Sequence, residues 1–222
     1  MCGRYALIVV GDGSLQRRFS LEELLDTPAS RYNVAPTQTL PVIVRQSPNH
    51  MEMMRWGLIP SWAKDANIGN RMINARAETV AEKPAYRGPL RSQRCLVPAS
   101  GFYEWKRDGT SKQPYFIHVK DEPLVAFAGL YDRWRDPNGQ TVLSYTIITT
   151  TANTVAAPVH DRMPVILQRD DEETWLDPDV TEPGHLLSLL RPYPAHEMEA
   201  YPVSNAVNSP RNDTPNLLLA TR

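Results

Sequence analysis

Cysteine stands directly behind the initiator methionine, in the run Met1-Cys2-Gly3-Arg4-Tyr5. A small second residue permits removal of the methionine, which leaves an α-amine and a thiol on adjacent carbons. Their ordinary pKa values are about 7.7–8.0 and about 8.5, so both have an accessible nucleophilic form at neutral pH. An aldehyde taken by the amine as a Schiff base, and then by the thiol, closes a five-membered thiazolidine ring. An internal cysteine has no free amine and cannot do this. Three other segments place polar groups where packing does not require them. Ile73-Asn74-Ala75-Arg76-Ala77-Glu78 sets an amide and a guanidinium two residues apart, on one side of an extended chain. Gly101-Phe102-Tyr103-Glu104-Trp105-Lys106 sets a carboxyl group among aromatic residues, surroundings that raise its pKa and suit it to proton transfer. His160-Asp161-Arg162-Met163-Pro164 sets an imidazole beside an acid and a base at a proline-terminated turn. Each also has an ordinary reading: a chance cysteine, a solvent-facing glutamate on an alternating strand, a hydrogen-bonded structural histidine. His50, His118, His185 and His196 have no such neighbours.

These groups need a scaffold, and its pattern is strand-rich. Residues 4–10 read as a strand that enters the turn Gly11-Asp12-Gly13. Ser14 is placed to cap a helix running through Leu15, Phe19, Leu21, Leu24 and Leu25. A proline-rich stretch, Arg31-Tyr32-Asn33-Val34-Ala35-Pro36-Thr37-Gln38, precedes strands expected over residues 40–45, 51–56, 94–97, 101–106, 115–119, 125–130 and 142–149. Short helices are expected over 78–85, 170–175 and 185–190. No regular alternation of strand and helix appears. The expected class is therefore α+β: one domain over residues 1–222, with a mostly antiparallel, barrel-like sheet and short peripheral helices. Residues 205–222 read as a C-terminal tail packed on that body.

Composition narrows the function classes. The 222 residues include 41% hydrophobic and 22% charged side chains, which is globular and not disordered. A net charge of -1 excludes a uniformly basic nucleic-acid binder but leaves room for a local basic groove. Two cysteines, Cys2 and Cys95, are too few for a disulfide framework, and without a paired Cys-x-x-Cys they point to no structural zinc. The expectation is a chain without metal or cofactor, without signal peptide or membrane span, monomeric and at home in a reducing cytoplasm.

Taken together, the chemistry-bearing segments resemble the SRAP family, the SOS-response-associated peptidases or abasic-site-processing proteins. The resemblance rests on the opening run through Tyr5, on Arg31 to Thr37, on Arg55-Trp56-Gly57-Leu58-Ile59-Pro60-Ser61-Trp62, and on Ile73 to Thr79. It continues through Arg94-Cys95-Leu96-Val97-Pro98-Ala99-Ser100 into the Gly101 to Lys106 run, and through His160 to Val165. The stretch Val203-Ser204-Asn205-Ala206-Val207-Asn208 looks like the family's terminal block. The blocks span nearly the whole chain in the family's order. The resemblance implies the SRAP fold and a reaction with abasic sites in single-stranded DNA, whose ring-opened sugar exposes an aldehyde at C1′. Cys2 would capture it as a thiazolidine, giving a DNA–protein crosslink. Glu104 would handle protons at the amine and carbinolamine. His160 would act as acid on the sugar ring oxygen, and Asn74 would orient the amine or the lesion. The implied DNA surface comprises Arg4, Asn33, Pro36, Trp62, Arg76, Thr149 and Arg162. Arg4, Arg76 and Arg162 would meet phosphates; Trp56, Trp62 and Tyr103 would offer stacking faces, Trp56 being first choice for a core residue instead. A role near DNA damage would make the protein nucleoid-associated in a bacterium. Abasic-site lyase activity through the Schiff base, a cysteine peptidase pairing Cys2 with His160, oriented by Glu104 or Asn74 and acting on the protein's own methionine or crosslink, and a non-covalent single-strand binder remain open.

Overall fold

Strands carry far more of the chain than helices do. The structure, a computed structural model, describes residues 2–11, 13–21, 27–45 and 49–221. In chain order the strands are β1 (Tyr5–Leu7), β2 (Arg31–Val34), β3 (Thr39–Val44), β4 (His50–Trp56), β5 (Asn74–Arg76), β6 (Arg94–Ala99) and β7 (Gly101–Asp108). They continue with β8 (Ser111–Val119), β9 (Val125–Arg135), β10 (Thr141–Thr151), β11 (Arg162–Pro164), β12 (Ile166–Leu167) and β13 (Met198–Pro202). The α-helices are α1 (Ser14–Phe19), α2 (Pro84–Ser92), α3 (Arg169–Leu176) and α4 (Pro183–Ser188). No helix among the described residues is long and apolar enough to cross a membrane.

Five strands close a barrel. β10 pairs with β9, β9 with β6, β6 with β3 and β3 with β4, all antiparallel, and β4 returns to β10 in parallel. Closure leaves these strands no open edge. β5, β11 and β12 extend the barrel from β10 and β9. An antiparallel sheet ordered β13-β8-β7-β1-β2 lies against it. The joint is aromatic. Tyr5 of β1 meets Trp56 and Phe127 edge-on at ring-centroid distances of 5.2 and 6.0 Å, and Phe102 of β7 meets Phe127 at 6.3 Å. The expected α+β class, with a barrel-like, mostly antiparallel sheet and short helices, is the architecture observed.

Several boundaries differ from the sequence reading, each for a physical reason. The opening strand is only Tyr5–Leu7, because the next two backbone N–H groups leave the ladder: Ile8 donates to Ser100 Oγ and Val9 to Ser30 Oγ. Gly13, at φ 77°, is the N-cap of α1, and Ser14 is the first helical residue instead of the cap. The expected continuation through Leu24 and Leu25 lies outside the described residues. The helix expected over 78–85 begins only at Pro84: Lys83, directly before the proline, is extended at ψ 130°, as the proline ring requires. Residues 77–83 form turns. The proline-rich stretch contains β2, whose residues do not alternate in hydrophobicity, and β11, β12 and β13 are too short to stand out in sequence.

The tail folds back along this second sheet in two 3-10 turns, Asn205–Asn208 and Pro215–Leu218. Val203, Val207 and Leu217 pack with Ala6, Tyr103 and Phe116. Complete burial of one such aliphatic side chain contributes roughly 1.5–3 kcal/mol. Asp213 adds a polar anchor: its carboxylate accepts from the backbone N–H groups of Tyr32 and Asn33 and from Arg31 Nε.

Candidate active site

β1 begins three residues after Cys2 and is held between β2 and β7. Gly101 makes the β7 contact close. It sits at φ 155°, and a Cβ there would lie 2.5 Å from the Phe116 ring, so only glycine lets β7 start against Ala6. Tyr103 N–H then donates to the carbonyl of Arg4, which brings the next residue of β7, Glu104, beside the N-terminal segment. On the far side, β5 runs parallel to β10, with Asn74 opposite Ile147 and Arg76 opposite Thr149. Ala75 points into the core, so Asn74 and Arg76 share the outer face, as their spacing predicts. Asn74 Nδ2 donates to the carbonyl oxygen of Cys2 at 2.8 Å, while its Oδ1 is buried without a hydrogen-bond partner among the described residues.

The electrostatics follow from burial. The Cys2 side chain is wholly buried, and its Sγ–H faces the carbonyl of Arg4 at 3.8 Å. Burial pushes the thiol pKa well up, and the neighbouring charge of Glu104 pushes it further in the same direction. Glu104 is only 3% exposed. Burial raises its carboxyl pKa, against an opposing pull from His160. His160 lies in the turn before β11. Its Nδ1 is 3.0 Å from the backbone N–H of Arg162 and 2.9 Å from Asp161 Oδ1. One nitrogen cannot accept from the first and donate to the second. The backbone N–H is a fixed donor, whereas the Asp161 side chain is 87% exposed and solvated, so the backbone governs. The neutral ring therefore carries its proton on Nε2, where it serves as a donor.

Glu104 and His160 line one cleft of about 680 Å³, together with Trp105, Lys106, Arg107, Lys112, Pro158, Val159 and Asn208. Thus four separate parts of the chain are linked in series: Asn74 holds Cys2, Cys2 lies beside Glu104, and Glu104 shares the cleft with His160. Among the described residues no group of histidine, cysteine, aspartate and glutamate side chains is arranged to hold a metal ion.

A model of the SOS response associated peptidase (SRAP) family matches residues 1–210. The chain belongs to the SRAP family. YoqW of Bacillus subtilis, an abasic site processing protein, is 49% identical over 98% of this chain and 99% of its own length. The chicken abasic site processing protein HMCES is 38% identical over 85% of this chain and 65% of its own length. A crystal structure of a protein from Bacteroides thetaiotaomicron, 31% identical, aligns at a TM-score of 0.88 over 98% of this chain and all of its own.

The remaining site residues of this SRAP chain fall into two groups. Arg76 is exposed, Trp62 is 61% exposed and Pro36 is half-buried. The others are turned to the protein's own groups. Arg4 Nη1 donates to Asn33 Oδ1 and to the carbonyl of Val207. Asn33 is buried, and its Nδ2 faces the carbonyls of Val207, Ser209 and Asn212. Arg162 is 8% exposed and holds Glu78 through both terminal nitrogens, one of which also donates to the carbonyl of buried Thr149. Of the aromatic candidates, Trp56 is core as expected and donates to the carbonyl of Ile73. Tyr103 is also core: its ring is buried and its hydroxyl donates to the carbonyl of Tyr32, so it presents no stacking face. The sequence reading passed over Lys106, Arg107, Lys112 and Asn208. The signal was present in Lys106-Arg107-Asp108-Gly109-Thr110-Ser111-Lys112, a turn flanked by cations immediately after the Glu104 strand.

Proposed function

We propose that this chain processes abasic sites in single-stranded DNA by capturing them covalently at Cys2. The reading is carried by one observation: the residue at position 2, held by Asn74, lies beside Glu104, which shares one cleft with His160. The SRAP family membership and the abasic-site-processing names of the relatives support it. With the methionine removed, the α-amine of Cys2 adds to the C1′ aldehyde of the ring-opened sugar, forming a C–N bond and a carbinolamine. Loss of one water leaves an iminium. The sulfur then adds to the same carbon, and the thiol proton leaves with solvent or a neighbouring base, which closes the thiazolidine. His160 Nε2–H would hydrogen-bond the sugar ring oxygen, while solvent supplies the proton that this oxygen gains as the C1′ hydroxyl loses its own and the ring opens. Glu104, with its raised pKa, would take a proton from the amine and return one to the departing hydroxyl. Asn74 Oδ1 would accept from the amine or from the carbinolamine. Holding amine, thiol and aldehyde together supplies the intramolecular advantage of such sites. The iminium is also the intermediate for strand cleavage by β-elimination, so lyase activity belongs to the same proposal.

The cysteine peptidase reading is less well supported. A peptidase thiol needs a depressed pKa and a histidine lone pair to receive its proton. Here burial and Glu104 raise the thiol, and the Nδ1 lone pair of His160 faces the Arg162 N–H.

Cys2→Ser decides the matter. Serine is also small, so the methionine still leaves and the α-amine remains. The expected variant gives little durable adduct with abasic single-stranded DNA on a denaturing gel, yet is trapped by borohydride and cleaves the strand at least as fast as the parent. An unreduced serine adduct as durable as the cysteine one would rule out the thiazolidine. Intact mass supplies the second check: the adduct must form only on protein that has lost Met1.

A further inference from the structure

A strand held at this site needs cations for its phosphates, and two of the expected ones are occupied. Arg162 is buried against Glu78 and Thr149, and Arg4 joins Asn33 to Val207. The exposed cations on the wall of the Glu104–His160 cleft are Lys106, Arg107 and Lys112. All three lie on the outer half of the β7–β8 hairpin. Its register sets Arg107 directly opposite Lys112. Like charges facing each other across an antiparallel pair oppose pairing, within the roughly 0.2–1 kcal/mol range of cross-strand effects. Among the described residues, no ion pair relieves them. The hairpin does not need these charges to turn, because Gly109 at φ 56° and the Ser111 Oγ–H bond to the Asp108 carbonyl already set the turn. A self-repelling pair with no structural use, open to the reaction cleft, is a pair kept for an anion.

We propose that the outer β7–β8 hairpin is an anion site for the phosphodiester backbone of a single nucleic-acid strand, gripping it where it leaves the reaction centre past His160. The direction of the strand rests on the abasic-site reading above; the anion site does not. A nucleic-acid strand fits better than an acidic protein segment, because the same wall carries the indole of Trp105. Rings alternating with charges are the composition of a single strand, whose bases stack on aromatic side chains while its phosphates meet cations. The cleft also runs from these cations to Glu104 without interruption. One strand therefore reaches both.

The test replaces Lys106→Gln, Arg107→Gln and Lys112→Gln together, which removes charge but keeps length and strand register. Fluorescence anisotropy with lesion-free oligothymidylate, titrated with salt, reads the anion site alone. Three lost contacts should flatten the log–log slope by about 2 units, at about 0.7 per phosphate on single strands. The melting temperature should stay level or rise, since a repulsive pair has gone. At subsaturating abasic DNA, crosslinking should slow in step with the lost affinity. Unchanged affinity and slope for oligothymidylate would overturn the proposal, as would polyglutamate binding the parent protein as tightly as oligothymidylate of equal charge. A second arm uses two abasic strands, one with flanking nucleotides only on the 5′ side and the other only on the 3′ side. The variant should lose affinity for one of them; equal loss on both would overturn the hairpin's place on a single outgoing arm. A parent protein that never crosslinks would remove the abasic-site reading, while the oligothymidylate measurement would still decide the hairpin.

Discussion

Asn74 grips Cys2 by the backbone: its amide nitrogen donates to the Cys2 carbonyl oxygen at 2.8 Å, across a separation of 72 positions. The side chain thereby fixes, through that carbonyl, the position of the residue proposed to react. Asn74→Ala removes one hydrogen bond, worth about 1 kcal/mol, and should slow crosslinking by roughly 5–10-fold at saturating DNA. Asn74→Asp should be slower still, since a carboxylate cannot donate and adds a negative charge near Glu104. Single-turnover crosslinking rates check this; an aspartate variant as fast as the parent would remove the positioning role.

His160 is expected to act through Nε2–H on the closed sugar ring. His160→Gln should therefore slow capture of an ordinary abasic site by on the order of 10²–10³-fold, the usual cost of losing one positioned hydrogen-bond donor. A substrate supplied as a fixed open-chain aldehyde should largely escape the defect. Equal defects on the two substrates would take ring opening away from His160.

Glu104 ties the site to stability. Its folded pKa is raised by burial above the ordinary carboxylate value of about 4.3. Over the pH range just above that value the folded state binds more protons than the unfolded state, so stability falls as pH rises through it. Glu104→Gln does not titrate and escapes this loss. In urea unfolding, the variant should gain on the parent as the pH rises above about 4.3, while its crosslinking falls. A parent protein that gains on the variant over the same interval would contradict the burial argument.

Asn33 and Arg76 should separate cleanly. Asn33→Ala strips the tail's carbonyls of a buried donor, which costs roughly 1–3 kcal/mol, or about 2–4 °C of melting temperature per kcal/mol in a chain of this size. It should leave the salt dependence of DNA binding as it was. Arg76→Ala should do the reverse, flattening the salt slope by about 0.7 with little change in melting. A salt slope altered by Asn33→Ala would place that residue on the DNA surface after all.

What the sequence revealed and what it hid follow from the range of the forces involved. The strands β3, β4, β6 to β10 announce themselves through local hydrophobic pattern, and the four chemical residues through residue type. The alternation across Asn74-Ala75-Arg76 was legible because it needs only one extended segment. The fate of Arg4, Asn33 and Arg162 was not, because their partners Val207, Asn212 and Glu78 are supplied by tertiary folding. A guanidinium reads alike in sequence whether it will face a phosphate or a glutamate. Tyr103 shows the same blindness: flanked by Phe102 and Glu104, it looks like a stacking face, and only the docking of the tail makes it core. The brevity of β1 was equally hidden, since it depends on two serine hydroxyls, Ser30 and Ser100, from other segments.

The bond from Arg4 to the carbonyl of Val207 spans 203 positions. Such a contact cannot form until Val207 has left the ribosome, and contacts of this separation form late in folding. The first residues emerge long before that, unpartnered and open to a methionine aminopeptidase. On the proposed function, translation would thus order two events: the N-terminus can be trimmed while it is still loose, and the pocket around it is assembled only after Val207 has emerged. A chain that stops short of Val207 would carry the aminothiol but not the pocket, which would confine the proposed aldehyde capture to chains extended beyond that residue.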